Sequence, residues 1–187
     1  MLDLLHSTIL YGEDRITPAK QVAMALAHMI QTRYPKDSLD VVVFGDEAWQ
    51  IRVEDLPYAA VGPYHTNPQA GLQLARELLL RRQSHNSQIF MITDGKPSVV
   101  QRHTGELYEN SFGLDPYIVN RTLDEALICR KKRIVITTFV VTSDPYLQGF
   151  VRRLTKLNRG RAYFTPLDRF GGFIFKDFMN HRTRRVK

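Results

Sequence analysis

Four stretches of this 187-residue chain are apolar almost without interruption and rich in β-branched or aromatic residues: LDVVVFG (39–45), SQIFMITDG (87–95), RIVITTFVV (133–141) and RAYFTP (161–166). A strand with one wet face alternates apolar and polar residues. A run that does not alternate has both faces covered, as in a parallel sheet held between two helical layers. MLDLL, at the start, reads as a truncated fifth strand of the same kind. EAWQIRV (47–53) does alternate, with Ala48, Gln50 and Arg52 set against Trp49, Ile51 and Val53. It follows LDVVVFG closely enough for a hairpin, which makes it an antiparallel edge strand.

Helical spacing fills the intervals. Val22, Leu26, Met29, Ile30 and Arg33 fall at that spacing, as do Leu72, Ala75, Leu78 and Leu79, and further on Leu123, Ala126 and Leu127. Thr17-Pro18, Asn67-Pro68, Asp115-Pro116 and Asp144-Pro145 each set a capping residue before a proline, whose missing N–H costs nothing in the first helical turn. The rhythm of strand, cap and helix predicts an α/β fold: a three-layer, doubly wound, Rossmann-like sheet, mostly parallel with one antiparallel edge strand. One domain accounts for residues 1–187, with HRTRRVK (181–187) as a basic tail. Residues 96–118 lack periodicity and read as a long surface loop.

Charge is divided unevenly. Residues 1–94 hold eight Lys/Arg against eleven Asp/Glu, and residues 95–187 hold eighteen against eight, so the basic excess belongs to the second half. No apolar run approaches the ~20 residues of a membrane-spanning helix. Asp3, His6 and Glu13 interrupt the apolar start where an export signal would be continuous, and Cys129 has no second cysteine to pair with. These features read as a cytoplasmic protein. Cys129 reads as a small buried hydrophobe and His65 as a loop surface residue, since no second His or Cys stands at zinc spacing.

In a doubly wound sheet, ligands gather beyond the carboxyl ends of the central strands. Asp3 and Asp94 close two of the apolar runs, and Thr66 sits just before a helix start in GPYHTNPQAG (62–71). Two carboxylates with Ser7 and Thr66 form an all-oxygen set. That chemistry favours a hard cation, Mg²⁺ or Mn²⁺, over zinc or copper.

DLLHS, HTNPQAGLQLA and ITDGKPS together resemble the metal-ion-dependent adhesion site of von Willebrand factor type A (VWA) domains. That site combines a D-x-S-x-S motif after the first strand, a Thr in a later loop and an Asp in a T-D-G turn. The resemblance spans nearly the whole chain and implies Asp3, Ser7, Thr66 and Asp94 as metal ligands. It is similar to the bacterial cytoplasmic branch, including the integrating subunit of magnesium chelatase and partners of MoxR-type AAA+ ATPases. The implied function is a non-enzymatic interaction module that binds an acidic group of a partner, an AAA+ ATPase. The chain departs from the pattern at Leu5, which stands where the motif has its first Ser and removes one hydroxyl. Only Met1 and Leu2 precede Asp3, and the resemblance reads this as a truncation of a longer ancestral protein or a misassigned start.

Two other functions compete. The basic second half, with Arg152, Arg153, Lys156 and Arg159 and the cluster Arg182, Arg184, Arg185 and Lys187, has the charge to hold nucleic acid. A Mg²⁺-dependent phosphohydrolase with Asp3 as nucleophile would want a second Asp at the place of Leu5. No Walker loop, G-x-G-x-x-G or G-x-S-x-G elbow is present for other phosphate or acyl chemistry.

Overall fold

A computed structural model describes residues 1–4, 16–60, 62, 65–82, 86–93, 96–140, 144–164, 172 and 179. In chain order these form β1 (Leu2–Asp3), α1 (Ile16–Arg33), β2 (Val41–Phe44), β3 (Ala48–Ile51), a 3₁₀ helix (Val53–Tyr58), α2 (Pro68–Arg81), β4 (Gln88–Thr93), β5 (Val99–Gln101), β6 (Leu107–Glu109), α3 (Pro116–Lys131), β7 (Val135–Val140), α4 (Pro145–Asn158) and β8 (Arg161–Phe164). The main sheet has the order β3-β2-β1-β4-β7-β8. Every neighbouring pair in it is parallel except β2 with β3, which run antiparallel at the edge as the alternation of EAWQIRV predicts. The longest ladder joins β4 to β7 over six pairs, from Gln88↔Val135 to Thr93↔Val140.

Both faces of the sheet are buried, which is why its runs do not alternate. On one side Leu2, Val43, Ile92 and Phe139 pack with Leu26 and Ile30 of α1. On the other, Val42, Phe44, Ile89, Met91 and Ile136 pack with Leu72 of α2, Leu123 of α3 and Leu154 of α4. Neighbouring residues of one strand thus serve opposite layers, and a one-residue slip would exchange the two cores. Among the described residues no helix is long and apolar enough to cross a membrane.

Three of the four cap-proline pairs act as expected. Asn67 accepts from Ala70 N–H at 3.0 Å. Asp115 accepts from Tyr117 N–H at 2.8 Å and Asp144 from Tyr146 N–H at 2.8 Å, each at the start of its helix. Thr17 differs, because α1 begins one residue earlier at Ile16 and places Thr17 inside the helix. Residues 96–118 also differ from the expected loop. They carry an antiparallel hairpin, β5 with β6, whose Val99 and Val100 are fully buried. Gly105 makes its turn at φ 90, a left-handed backbone that suits glycine.

The far end of the sheet is fastened by Asn158, the buried last residue of α4. Its Nδ2 donates to the carbonyls of Ala126 at 3.1 Å and Ile134 at 3.2 Å, and its Oδ1 accepts from Ile136 N–H at 2.8 Å. Gly160 follows closely; a Cβ there would lie 1.9 Å from the Ile136 carbonyl oxygen.

Candidate metal centre

The strand order places β1 between β2 and β4, where the chain's connections change direction, so the carboxyl end of β1 opens into the crevice that such sheets offer a ligand. Asp3 ends β1 there and is only 3% exposed. Its Oδ2 accepts from Thr93 Oγ1 at 2.7 Å, at the last position of β4, and from Thr66 Oγ1 at 3.5 Å. Two of the four candidate ligands, 63 residues apart in sequence, therefore meet at one buried point.

Thr66 is held there by backbone rather than by its own side chain. Its N–H donates to Ser98 Oγ at 3.0 Å, and Ser98 N–H donates back to the Thr66 carbonyl at 2.9 Å. The next residue, Asn67, donates its N–H to the Gly45 carbonyl at 2.9 Å and its side-chain Nδ2 to the Asp46 carbonyl at 2.8 Å. The loop before α2 is thus fixed to the β2–β3 turn on one side and to the segment before β5 on the other. Asp94 and Ser7, with Leu5, lie outside the described residues. Asp94 is the residue directly after Thr93, so β4 delivers the chain to the Asp3 carboxylate one residue before it.

The donors present suit a hard cation. The carboxylate of Asp3 receives bonds from two neutral hydroxyls, and a hydroxyl can turn its lone pairs toward an ion and its proton elsewhere. Among the described residues no group of three or more His, Cys, Asp or Glu is placed to hold a metal.

A family model described as "Rv0959-like protein, vWA domain" matches residues 1–179. The chain belongs to this family. The uncharacterized protein Rv0959 of Mycobacterium tuberculosis strain H37Rv is 27% identical over 176 residues, which is 92% of this chain and 26% of that protein, and Mb0984 of Mycobacterium bovis gives the same figures. The chain thus spans about a quarter of the length of these curated relatives. Among solved structures, a von Willebrand factor type A protein from Catenulispora acidiphila superposes with TM-score 0.65 at 12% identity, covering 94% of this chain and 40% of that one. The vWF domain of the type V pili tip protein Mfa5 from Porphyromonas gingivalis gives 0.64 at 12%, covering 100% and 96%. The SpRpn10 VWA domain gives 0.62 at 12%, covering 94% and 91%. At these identities the likeness is one of fold.

Around the centre of this vWA domain lie residues that the sequence reading did not join. Thr93 was hidden at the end of an apolar run, where a lone hydroxyl on the last buried position was the available signal. His65 is partly exposed, as a loop residue would be, and also ties two elements: Nδ1 lies 2.8 Å from Asp46 Oδ1 and Nε2 lies 2.7 Å from Glu109 Oε1 on β6. These contacts lie on opposite sides of the ring and do not converge on one ion. Lys96 reaches Asp144 at 2.8 Å and lies over the Tyr146 ring. The hydrogen bond from Lys96, helped by the N–H groups at the start of α4, holds the Asp144 carboxyl below its ordinary range against a smaller opposing effect of burial. Cys129 is fully buried, and burial pushes its thiol up to about 12, with Glu125 adding to the rise.

Proposed function

We propose that this vWA domain is a non-enzymatic protein-interaction module whose candidate centre, Asp3, Ser7, Thr66 and Asp94, holds Mg²⁺ or Mn²⁺. A bound ion would supply an open coordination position for an acidic side chain of a protein partner. Membership of the vWA family supports an interaction module in general. The observation that carries the finer reading is the buried meeting of Asp3 and Thr66 at the carboxyl end of β1. Hydroxyl ligands leave much of a divalent charge unneutralised, so a partner carboxylate would gain a charge-assisted contact there. By the sequence resemblance, the partner is an AAA+ ATPase of the MoxR or chelatase type.

Calorimetric titration of Mg²⁺ and Mn²⁺ into the wild type and Asp94→Ala tests the site. Binding by the wild type that disappears in Asp94→Ala is the expected result, and Leu5→Ser should tighten it by restoring the missing hydroxyl. Equal heats from wild type and Asp94→Ala would reject the centre.

A second reading rests on a different surface. Arg152, Arg153 and Lys156 are exposed on α4, a helix without an acidic residue, with Arg159 exposed just past its end, and Arg130, Lys131, Lys132 and Arg133 are exposed at the end of the adjoining α3. Nucleic-acid binding through this face would weaken steeply with salt. Absence of DNA or RNA retention on a filter at low salt would remove it.

A further inference from the structure

The pairing of β1 does more than bring Asp3 to the edge of the sheet. Leu2 pairs with Val43 on β2 and with Ile92 on β4, and all three pack toward α1. One residue further along each parallel strand stand Asp3, Phe44 and Thr93, and alternation turns them to the opposite layer, where Phe44 packs with Leu72 of α2. Thr66 reaches the same layer from the loop that begins α2. The oxygen-bearing side chains of Asp3, Thr66 and Thr93 therefore meet on one side of the sheet, and all three are buried.

Thr93 is the one of these outside the candidate ligand set. The adhesion-site motif assigns the residue after it, Asp94, and Leu5 in place of the first motif serine leaves the set one hydroxyl short. Thr93 has the geometry to supply that oxygen. Its Oγ1 lies 2.7 Å from Asp3 Oδ2, and Thr66 Oγ1 lies 3.5 Å from the same atom. Neighbouring oxygens around an octahedral Mg²⁺ stand about 3 Å apart, given bonds of roughly 2.1 Å at right angles, so the two spacings bracket the edge of such a shell. The hydroxyl chemistry agrees. A hydroxyl that donates its one proton to a carboxylate offers only lone pairs to its other contacts, which is what a cation requires. Threonine is also stiff at χ1, so the oxygen is held in place before an ion arrives.

We infer that Thr93 is a further ligand of the proposed Mg²⁺ or Mn²⁺ site, its Oγ1 making up in number for the hydroxyl lost at Leu5. The inference rests on the cation reading above and adds to it a donor that the adhesion-site motif does not contain. The site then has a composition of its own, the carboxylates of Asp3 and Asp94 with the hydroxyls of Ser7, Thr66 and Thr93.

Loss of affinity alone would not separate a ligand from a residue that only orients Asp3, because removing an outer-shell partner typically costs about 10- to 100-fold. The test therefore replaces the donor atom. Thr93→Cys puts sulfur where Oγ1 stands, and sulfur favours soft Cd²⁺ over hard Mg²⁺. In calorimetric titrations of the 187-residue chain, Thr93→Cys should lose at least about tenfold in Mg²⁺ affinity and gain at least about tenfold for Cd²⁺ relative to the wild type. Its Cd²⁺ complex should show an ultraviolet sulfur-to-cadmium charge-transfer band above that of the wild type, whose single cysteine, Cys129, is buried. Thr93→Val is the second variant. It keeps the shape of the side chain, and proton relaxation should count one more water on its bound Mn²⁺ than on that of the wild type. Thr93→Ser keeps the hydroxyl and should bind Mg²⁺ nearly as the wild type does. If either Thr93→Cys or Thr93→Val fails to give a cooperative thermal transition, the other decides. A folded Thr93→Cys without the added band, or an unchanged water count in Thr93→Val, overturns this inference while Mg²⁺ binding that is lost in Asp94→Ala leaves the cation site standing. No Mg²⁺ binding by the wild type overturns both.

Discussion

The amino group of Met1 makes a prediction that can be worked through in free energy. In the unfolded chain it titrates near 8.0, and in the folded chain burial lowers this to about 5. Above pH 8 neither state carries the proton and the group contributes nothing. As pH falls below 8, the unfolded chain takes up a proton that the folded chain does not accept until about pH 5. Stability is therefore lost across that window as the solution becomes more acid. At 1.36 kcal/mol per pH unit the full loss between pH 8 and pH 5 is about 4 kcal/mol, of which roughly 1 kcal/mol is already gone at pH 7. For a domain of this size that corresponds to a melting temperature lower by about 10 °C. Acetylating the amine removes the charge and keeps an N–H for the Phe90 carbonyl. Urea unfolding of free and acetylated chains at pH 8, 7, 6 and 5 isolates the effect, because every other titrating group cancels in the difference. The acetylated chain should gain on the free one as pH falls. A difference that stays flat from pH 8 to pH 5 would refute the argument.

Three further outcomes follow from named contacts. Asn158→Ala orphans the Ile136 N–H and two buried carbonyls and should cost about 3 kcal/mol in chemical denaturation; a cost under about 1 kcal/mol would mean that water replaces the amide. Gly160→Ala forces a Cβ onto the Ile136 carbonyl and should lower stability by at least as much as Asn158→Ala, read in the same assay. Lys96→Met removes the main cause of the low Asp144 pKa, so the Asp144 carboxyl resonance should titrate at higher pH in the variant, and an unmoved titration would assign the depression to the helix start alone.

The sheet was legible in the sequence because burial on both faces leaves an unbroken apolar run, and β2, β4 and β7 all show one. The caps at Asn67, Asp115 and Asp144 were legible because a short polar side chain followed by proline has few other uses. β5 and β6 were not, since three residues are too few to display a period, and the burial of β5 comes from packing on α2 and α3 rather than from a pattern of its own. The convergence of Asp3 with Thr66 followed from topology, which brings the end of β1 and the loop before α2 to one edge. Thr93 escaped because it ends a run of apolar residues in β4 and reads as part of that strand, and the tie from His65 to Glu109 because it joins residues far apart in sequence.

The claim on which the functional reading turns is that oxygen donors from separate segments meet at the end of β1 to hold a hard cation. Thermal unfolding with and without Mg²⁺, for the wild type and Asp3→Asn, tests it directly. Saturating Mg²⁺ at about 100 times its dissociation constant should stabilise the wild type by about 2.7 kcal/mol and leave Asp3→Asn unmoved. Equal shifts in both proteins, or none in the wild type, would contradict it.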